Sequence, residues 1–363
     1  MKNVSKLFWY HTDYKHYKKW ILDQCPINKN IILLYIDNCK ITKLSEYICN
    51  LINLQQLYCY NNYLEYLPNL IGFLYNLREL YCYNNKLKKI PESISNLINL
   101  RELYCYDNKL KKLPEYIGDL INLRILYCHD NKLKHLPNTL SNLINLQKLK
   151  CHNNQLIKLP NDIGNLINLK EFYCAENNLI NLPETICKLT NLLYFYCSDN
   201  NLTKLPKNFS NLINLQELCC RNNKLIKLPE DFGNLINLQI FGCSNNRLIN
   251  LPISIIKLKK LFYIHYIPVK HIPINLQRFL NYTNDKQIDV HNNYIQTSLS
   301  DSINNLLSKT ITTTKKYILI EDDILDNKTK TIIYNFIEDK IVSDNLLINF
   351  EELFMFIYEK IEN

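Results

Sequence analysis

Residues 99–121 read NLRELYCYDNKLKKLPEYIGDLI, and this 23-residue phrase returns along most of the 363-residue chain. Three ladders keep its register. Cysteine recurs at Cys59, Cys82, Cys105, Cys128, Cys151, Cys174, Cys197, Cys220 and Cys243. Asparagine recurs at Asn62, Asn85, Asn108, Asn131, Asn154, Asn177, Asn200, Asn223 and Asn246, and proline keeps the same interval from Pro68 to Pro252. A fixed period of this length marks a solenoid, in which one small unit is stacked many times. Within the phrase, Leu103 and Cys105 alternate with Glu102, Tyr104 and Tyr106, the pattern of a half-buried strand. Leu113-Pro114 then stops strand pairing, because proline has no N–H to give. Ile117 and Leu120 are spaced to line the inside of a short helical or extended return segment. One unit cannot bury its apolar side alone, so its neighbours must complete the core.

The run Leu100, Leu103, Cys105, Asn108, Leu110 and Leu113-Pro114 resembles the leucine-rich repeat family in its 23-residue class, with cysteine in place of the third leucine. Cys39 stands in the first unit where later units carry asparagine. The match covers about residues 30–258, with a degenerate unit to about 280. The resemblance implies an α/β solenoid, a curved right-handed array of ten to eleven repeats with a parallel sheet on its concave side. Residues 1–29 carry Trp9, Tyr10, Tyr14, Tyr17, Trp20 and Ile21 at mostly helical spacing, which predicts a helical N-terminal cap over the exposed first unit. Residues 281–363 hold two amphipathic stretches, 330–342 and 350–361, and read as a small acidic helical module that either caps the array or recruits a partner.

Each ladder has a structural reading. The asparagines are expected to bond backbone groups left unpaired where the chain leaves the sheet. The cysteines face inward as small soft hydrophobes. Neighbouring strands would bring them within disulfide reach, but a reducing compartment keeps them as thiols. Cys128-His129 and Cys151-His152 are not chelates, since alternation sends the two side chains to opposite faces. No metal or cofactor site is expected.

The net charge of +9 divides unevenly. Residues 281–363 hold 14 acidic and 8 basic residues, while the preceding 280 hold 20 and 35, a surplus of +15. Lys86, Lys109, Lys132 and Lys224 follow the ladder asparagines and form a basic rim, read either as a solubility device or as a docking edge for an acidic surface. The outward strand positions carry Tyr58, Tyr60, Tyr81, Tyr83, Tyr104, Tyr106, Tyr127, His129 and His152. Two tyrosine columns could serve only to stiffen the sheet, or to anchor a partner, a use in which tyrosine is enriched. The binding reading is preferred.

Enzyme signatures are missing: no Gly-rich phosphate loop, H-E-x-x-H, G-x-S-x-G or paired C-x-x-C occurs. A C-terminal ubiquitin-ligase domain with a cysteine nucleophile is excluded, because no cysteine follows Cys243. The start of the chain lacks the apolar core of a secretory signal, and no apolar run reaches membrane-spanning length. With 14 cysteines these features predict an intracellular, reduced and cytoplasmic setting. Heavy use of Asn, Ile, Lys and Tyr is similar to that of repeat proteins from large DNA viruses and AT-rich protists. The function expected is a non-enzymatic scaffold that grips an unidentified protein on its tyrosine face. The alternatives are a substrate receptor that recruits a ligase or kinase through its terminal segments, or nucleic-acid binding along the basic rim. Glu79, Glu102, Glu171 and Glu217 on the same face weigh against phosphates. No small-molecule substrate or membrane partner is implied.

Overall fold

The computed structural model describes residues 6–9, 31–248, 251–261 and 263–265. The chain divides into two units, and the first holds all twelve described strands. These strands form one parallel sheet in strict sequence order. From residue 56 onward each strand is three residues long, and its register repeats without slip: Leu57 pairs Leu80, Leu80 pairs Leu103, Leu103 pairs Leu126. From Gln56–Tyr58 to Glu217–Cys219 the middle residue of each strand is buried and its two neighbours are half-buried. After the strand comes the ladder cysteine, fully buried from Cys59 to Cys243. A single tight turn of 3₁₀ helix returns the chain on the other side. The result is the curved two-layer solenoid expected from the repeat.

The core is a set of parallel columns rather than one globular centre. Leu57, Leu80, Leu103, Leu126 and Leu149 give way to Phe172 and Phe195 at the same strand position, all without measurable exposure. Full burial of a leucine side chain contributes about 1.5–3 kcal/mol, so each repeat adds several such increments against its neighbour.

Where the chain leaves the strand, the ladder asparagine supplies the missing hydrogen bonds. The Asn108 amide donates to the carbonyls of Cys82 at 3.0 Å, Cys105 at 3.2 Å and Tyr106 at 3.1 Å. Its Oδ1 accepts the Leu87 N–H at 2.9 Å. The same set recurs at every rung from Asn62 to Asn246, so each asparagine ties its own repeat to the one before it.

Two features of the turns escape the 23-residue reading. Five-residue 3₁₀ turns, Glu46–Asn50, Glu92–Asn96, Asn138–Asn142 and Glu184–Lys188, alternate with three-residue turns, Ile71–Phe73, Ile117–Asp119, Ile163–Asn165 and Phe209–Asn211. The true unit over this stretch is therefore a pair of repeats. Gly118 and Gly164 sit in short turns where an added Cβ would collide with the backbone carbonyl of Thr139 and of Thr185 in the following long turn. In return, the Thr139 and Thr185 hydroxyls donate to the carbonyls of Glu115 and Asn161.

The second feature is a left-handed residue just before each ladder asparagine: Asn61, Asn84, Asp107, Asp130, Asn153, Glu176, Asp199, Asn222 and Asn245 all have φ between 47° and 54°. Asn and Asp tolerate this conformation better than other non-glycine residues. Glu176 is the exception in the row.

At the N-terminus the described residues extend the sheet, while the aromatic run after Trp9 that predicts a helical cap lies outside the described residues. Residues Lys6–Trp9 form a strand paired in parallel with Leu33–Ile36, because an apolar β-forming run satisfies the open edge of the sheet directly. The rest of residues 1–29 and the whole of the predicted C-terminal module lie outside the described residues.

A candidate interaction face

Every tyrosine and histidine singled out from the sequence stands on the sheet face and is half-buried. What buries them is one another. Parallel strands lie about 4.8 Å apart, a natural separation for aromatic rings. In the inner column Tyr58, Tyr81, Tyr104 and Tyr127 follow at centroid distances of 4.6, 4.2 and 4.7 Å with tilted or edge-on planes. The outer column is flatter: Tyr60, Tyr83, Tyr106, His129 and His152 stack at 4.5, 4.4, 4.4 and 4.2 Å, with planes within 15° of parallel. Tyr35 closes both columns at the N-terminal end, at 5.1 Å from Tyr58 and 5.8 Å from Tyr60.

The inner column does not stop at Tyr127. The Lys150 ammonium lies 4.7 Å from the ring centres of both Tyr127 and Tyr173, a cation–π sandwich, and Tyr173 then stacks on Tyr196 at 4.6 Å. Lys150 thus stands in for the missing tyrosine. Lys150, Tyr173 and Tyr196 are not among the site residues that the sequence singles out. The signal was available: all three share the strand position of Tyr104.

Carboxylates line the inner side of the columns. The Tyr58, Tyr81 and Tyr196 hydroxyls donate to Glu79, Glu102 and Glu217 of the next repeat, the second at 2.6 Å. Gln56 donates to Glu79 at 2.8 Å, and Lys148 pairs Glu171 at 2.6 Å. Burial first, and these carboxylates second, push the Tyr58 and Tyr81 phenols upward. Burial and its phenol neighbours raise Tyr83 to about 12. The phenols stay neutral across the physiological range, and the Tyr58, Tyr81 and Tyr196 hydroxyls are committed to carboxylates, so the face offers mainly ring surface.

On the outer side run the left-handed residues, joined by side-chain bonds such as Asn84 to Asn61 at 2.7 Å and Asn222 to Asp199 at 2.6 Å. Beyond them, Lys86, Lys109, Lys132 and Lys224 are exposed, and the Lys86 ammonium sits 4.6 Å over the Tyr63 ring. Gln155, Asn178 and Asn201 occupy the equivalent places in the middle repeats, so the basic rim comes in two blocks. The carboxylates of Asp107 and Asp130 stand between the first block and the aromatic columns.

The cysteine ladder contributes no reactive group to this face. The ladder thiols are buried and none of the described cysteines is in a disulfide. Burial raises Cys82 and Cys128 to about 12. At the opposite side of each unit a column of exposed isoleucines, including Ile98, Ile121, Ile144 and Ile167, follows the 3₁₀ turns; the sequence reading had not marked it. No helix among the described residues is long and apolar enough to cross a membrane.

Comparison with known proteins bears on the family. The family description "Leucine-rich repeat region" matches residues 91–172 and 138–225, and "Leucine Rich Repeat" matches residues 76–97. A leucine-rich repeat protein of Leptospira interrogans is 33% identical, with a TM-score of 0.61, over 72% of this chain and 73% of that one. The chain belongs to the leucine-rich repeat family. The functional domain of InlJ from Listeria monocytogenes, described as including a cysteine ladder, is 30% identical with a TM-score of 0.57, over 64% of this chain and 48% of that one. The leucine-rich repeat ectodomain of the Arabidopsis thaliana membrane receptor kinase GASSHO1/SCHENGEN3, in complex with CASPARIAN STRIP INTEGRITY FACTOR 2, is 30% identical with a TM-score of 0.55, over 65% of this chain and 32% of that one. No curated protein matches the chain. Leucine-rich repeat arrays are commonly scaffolds for protein–protein interaction.

Proposed function

We propose that this leucine-rich repeat protein is a non-enzymatic scaffold whose concave face, from Tyr58 to His152, binds a protein. The observation that carries the reading is the pair of continuous aromatic columns, held in place before any partner arrives. Rings fixed by stacking lose little conformational freedom on binding, which is where preformed sites gain affinity. Tyrosine also supplies large amphipathic contact area, and such residues dominate interface energetics. The lysine blocks steer an acidic partner surface toward the columns. Carboxylates on both sides of the rings oppose a phosphate backbone, which disfavours nucleic acid. A thiol-lined core fits a reducing compartment, the setting proposed for the protein.

Affinity capture from a cell lysate with the intact protein and with Tyr58, Tyr81, Tyr104 and Tyr127 all changed to serine tests the reading. Circular dichroism establishes that both fold. The expected result is a protein retained by the intact chain and lost from the variant, with affinity reduced at least a hundredfold. Identical captures would move the working surface off the concave face.

A further inference from the structure

The outer aromatic column ends in a way that stacking alone does not explain. After three phenols the rings become imidazoles, His129 and His152, at matching positions two residues beyond the adjacent strands Ile125–Tyr127 and Lys148–Lys150. They stack at 4.2 Å with planes 12° apart. At the same level the left-handed residue is Asp130, with φ of 51°. His129 Nδ1 and Asp130 Oδ2 are 2.6 Å apart. The other Asp130 oxygen accepts from the Asn153 amide, which fixes the carboxylate. His152 Nδ1 is buried and has no hydrogen-bond partner. A buried polar atom left unsatisfied is costly, and a phenylalanine or tyrosine ring would have continued the stack without it.

We infer that His129, Asp130 and His152 form a binding site for a divalent transition-metal ion. One donor atom from each of the three residues lies within 4.8 Å of the other two. Metal–nitrogen and metal–oxygen bonds to zinc are about 2.0–2.2 Å, so a single ion within this triangle needs only small ring tilts to reach all three. An ion would replace the proton between His129 and Asp130 and give His152 Nδ1 the partner it lacks. Two imidazoles and one carboxylate suit zinc, copper, nickel or cobalt rather than magnesium or calcium, which prefer all-oxygen sets. Asn153 acts as the supporting residue that orients the carboxylate, the kind of outer contact that metal sites use. Lys150 opposes the ion with a positive charge from the neighbouring column, and the Asp107 carboxylate one repeat earlier offsets it. Three protein ligands leave coordination open for water or for a carboxylate or imidazole from a bound protein.

The site escapes a reading along the chain because its histidines belong to different repeats. Cys128 and Cys151, their sequence neighbours, point into the core and take no part.

The test is titration of the full chain with Co²⁺ under reducing conditions, read by visible absorption and followed by displacement with Zn²⁺. His129→Phe and His152→Phe keep the ring stack, and Asp130→Asn keeps the turn. The expected result is one equivalent bound with ligand-field bands and no thiolate-to-metal charge transfer. Each histidine variant should lose at least tenfold in affinity with an unchanged circular dichroism spectrum. No binding, binding unaffected by either histidine substitution, or a thiolate charge-transfer band would overturn the assignment. This outcome is independent of whether the tyrosine columns bind a protein.

Discussion

Raising the pH from 8 to 10 in the presence of reductant should sharply lower the denaturant midpoint of the solenoid. Nine ladder thiols are fully buried, and burial raises all of them above the ordinary value of 9.0, to about 12 for Cys82 and Cys128. Below pH 9 the thiols are neutral in both folded and unfolded chains, and their packing contributes in full. Above it the unfolded chain ionises while the folded chain does not, so stability falls until the folded thiols titrate in turn. Every ladder thiol contributes to this loss in the same direction, so the effect accumulates over nine rungs against the modest net stability of an ordinary domain. The half-buried tyrosines act in the same direction but are screened by solvent. A variant with Cys105→Ala and Cys128→Ala isolates the cause. Its stability should fall measurably less over the same interval, because two of the nine buried thiols no longer contribute. A midpoint that stays flat to pH 10, or the same loss in the variant, would refute the account of the ladder.

The second large effect is expected at the asparagine ladder. Asn108→Ala should destabilise the protein by about 2–3 kcal/mol, measured by chemical denaturation. The hydrogen bonds are unequal in consequence. The Cys82 and Cys105 carbonyls keep Asn85 and Asn131 as donors, and the Tyr106 carbonyl keeps the Asn84 N–H. The Leu87 N–H loses Asn108 Oδ1, its acceptor, and is left buried and unpaired. Asn108→Asp should be worse at neutral pH, since it sets a buried carboxylate against three carbonyl oxygens. Its folded-state pKa is then raised, so part of the loss should be recovered as the pH falls and the carboxyl regains a proton to donate. A change of less than about 0.5 kcal/mol in Asn108→Ala, the scale of an ordinary surface substitution, would mean that the ladder is not structural.

Most of the architecture was legible because a repeat reports itself many times. Leu103, Cys105, Asn108 and Pro114 each occupy one place in a phrase whose copies average out local ambiguity, so the sheet, the buried columns and the outward tyrosines could be read together. What was not legible has identifiable physical causes. The alternation of long and short turns rests on single positions such as Gly118 against Ser141, and a 23-residue comparison blends the two classes. The strand at Lys6–Trp9 is formed by pairing with an open sheet edge, a tertiary effect that helical spacing cannot report. Half-burial of the tyrosines comes from neighbours one repeat away, which makes them a stacked surface rather than a set of freely exposed rings. The left-handed row at Asp107 and Asp130 follows from φ alone, although the run of Asn and Asp before each ladder asparagine was a usable sign.

Docking of a protein on the stacked aromatic face is open to site-directed photocrosslinking, with a photoreactive phenylalanine analogue placed at Tyr104 in one version and at Ile144, in the exposed isoleucine column, in another. Each is irradiated in lysate and the adducts identified by mass spectrometry. The expected result is a discrete protein adduct from position 104 that is missing from position 144. Adducts from position 144 with none from position 104 would contradict it and place recognition on the isoleucine column.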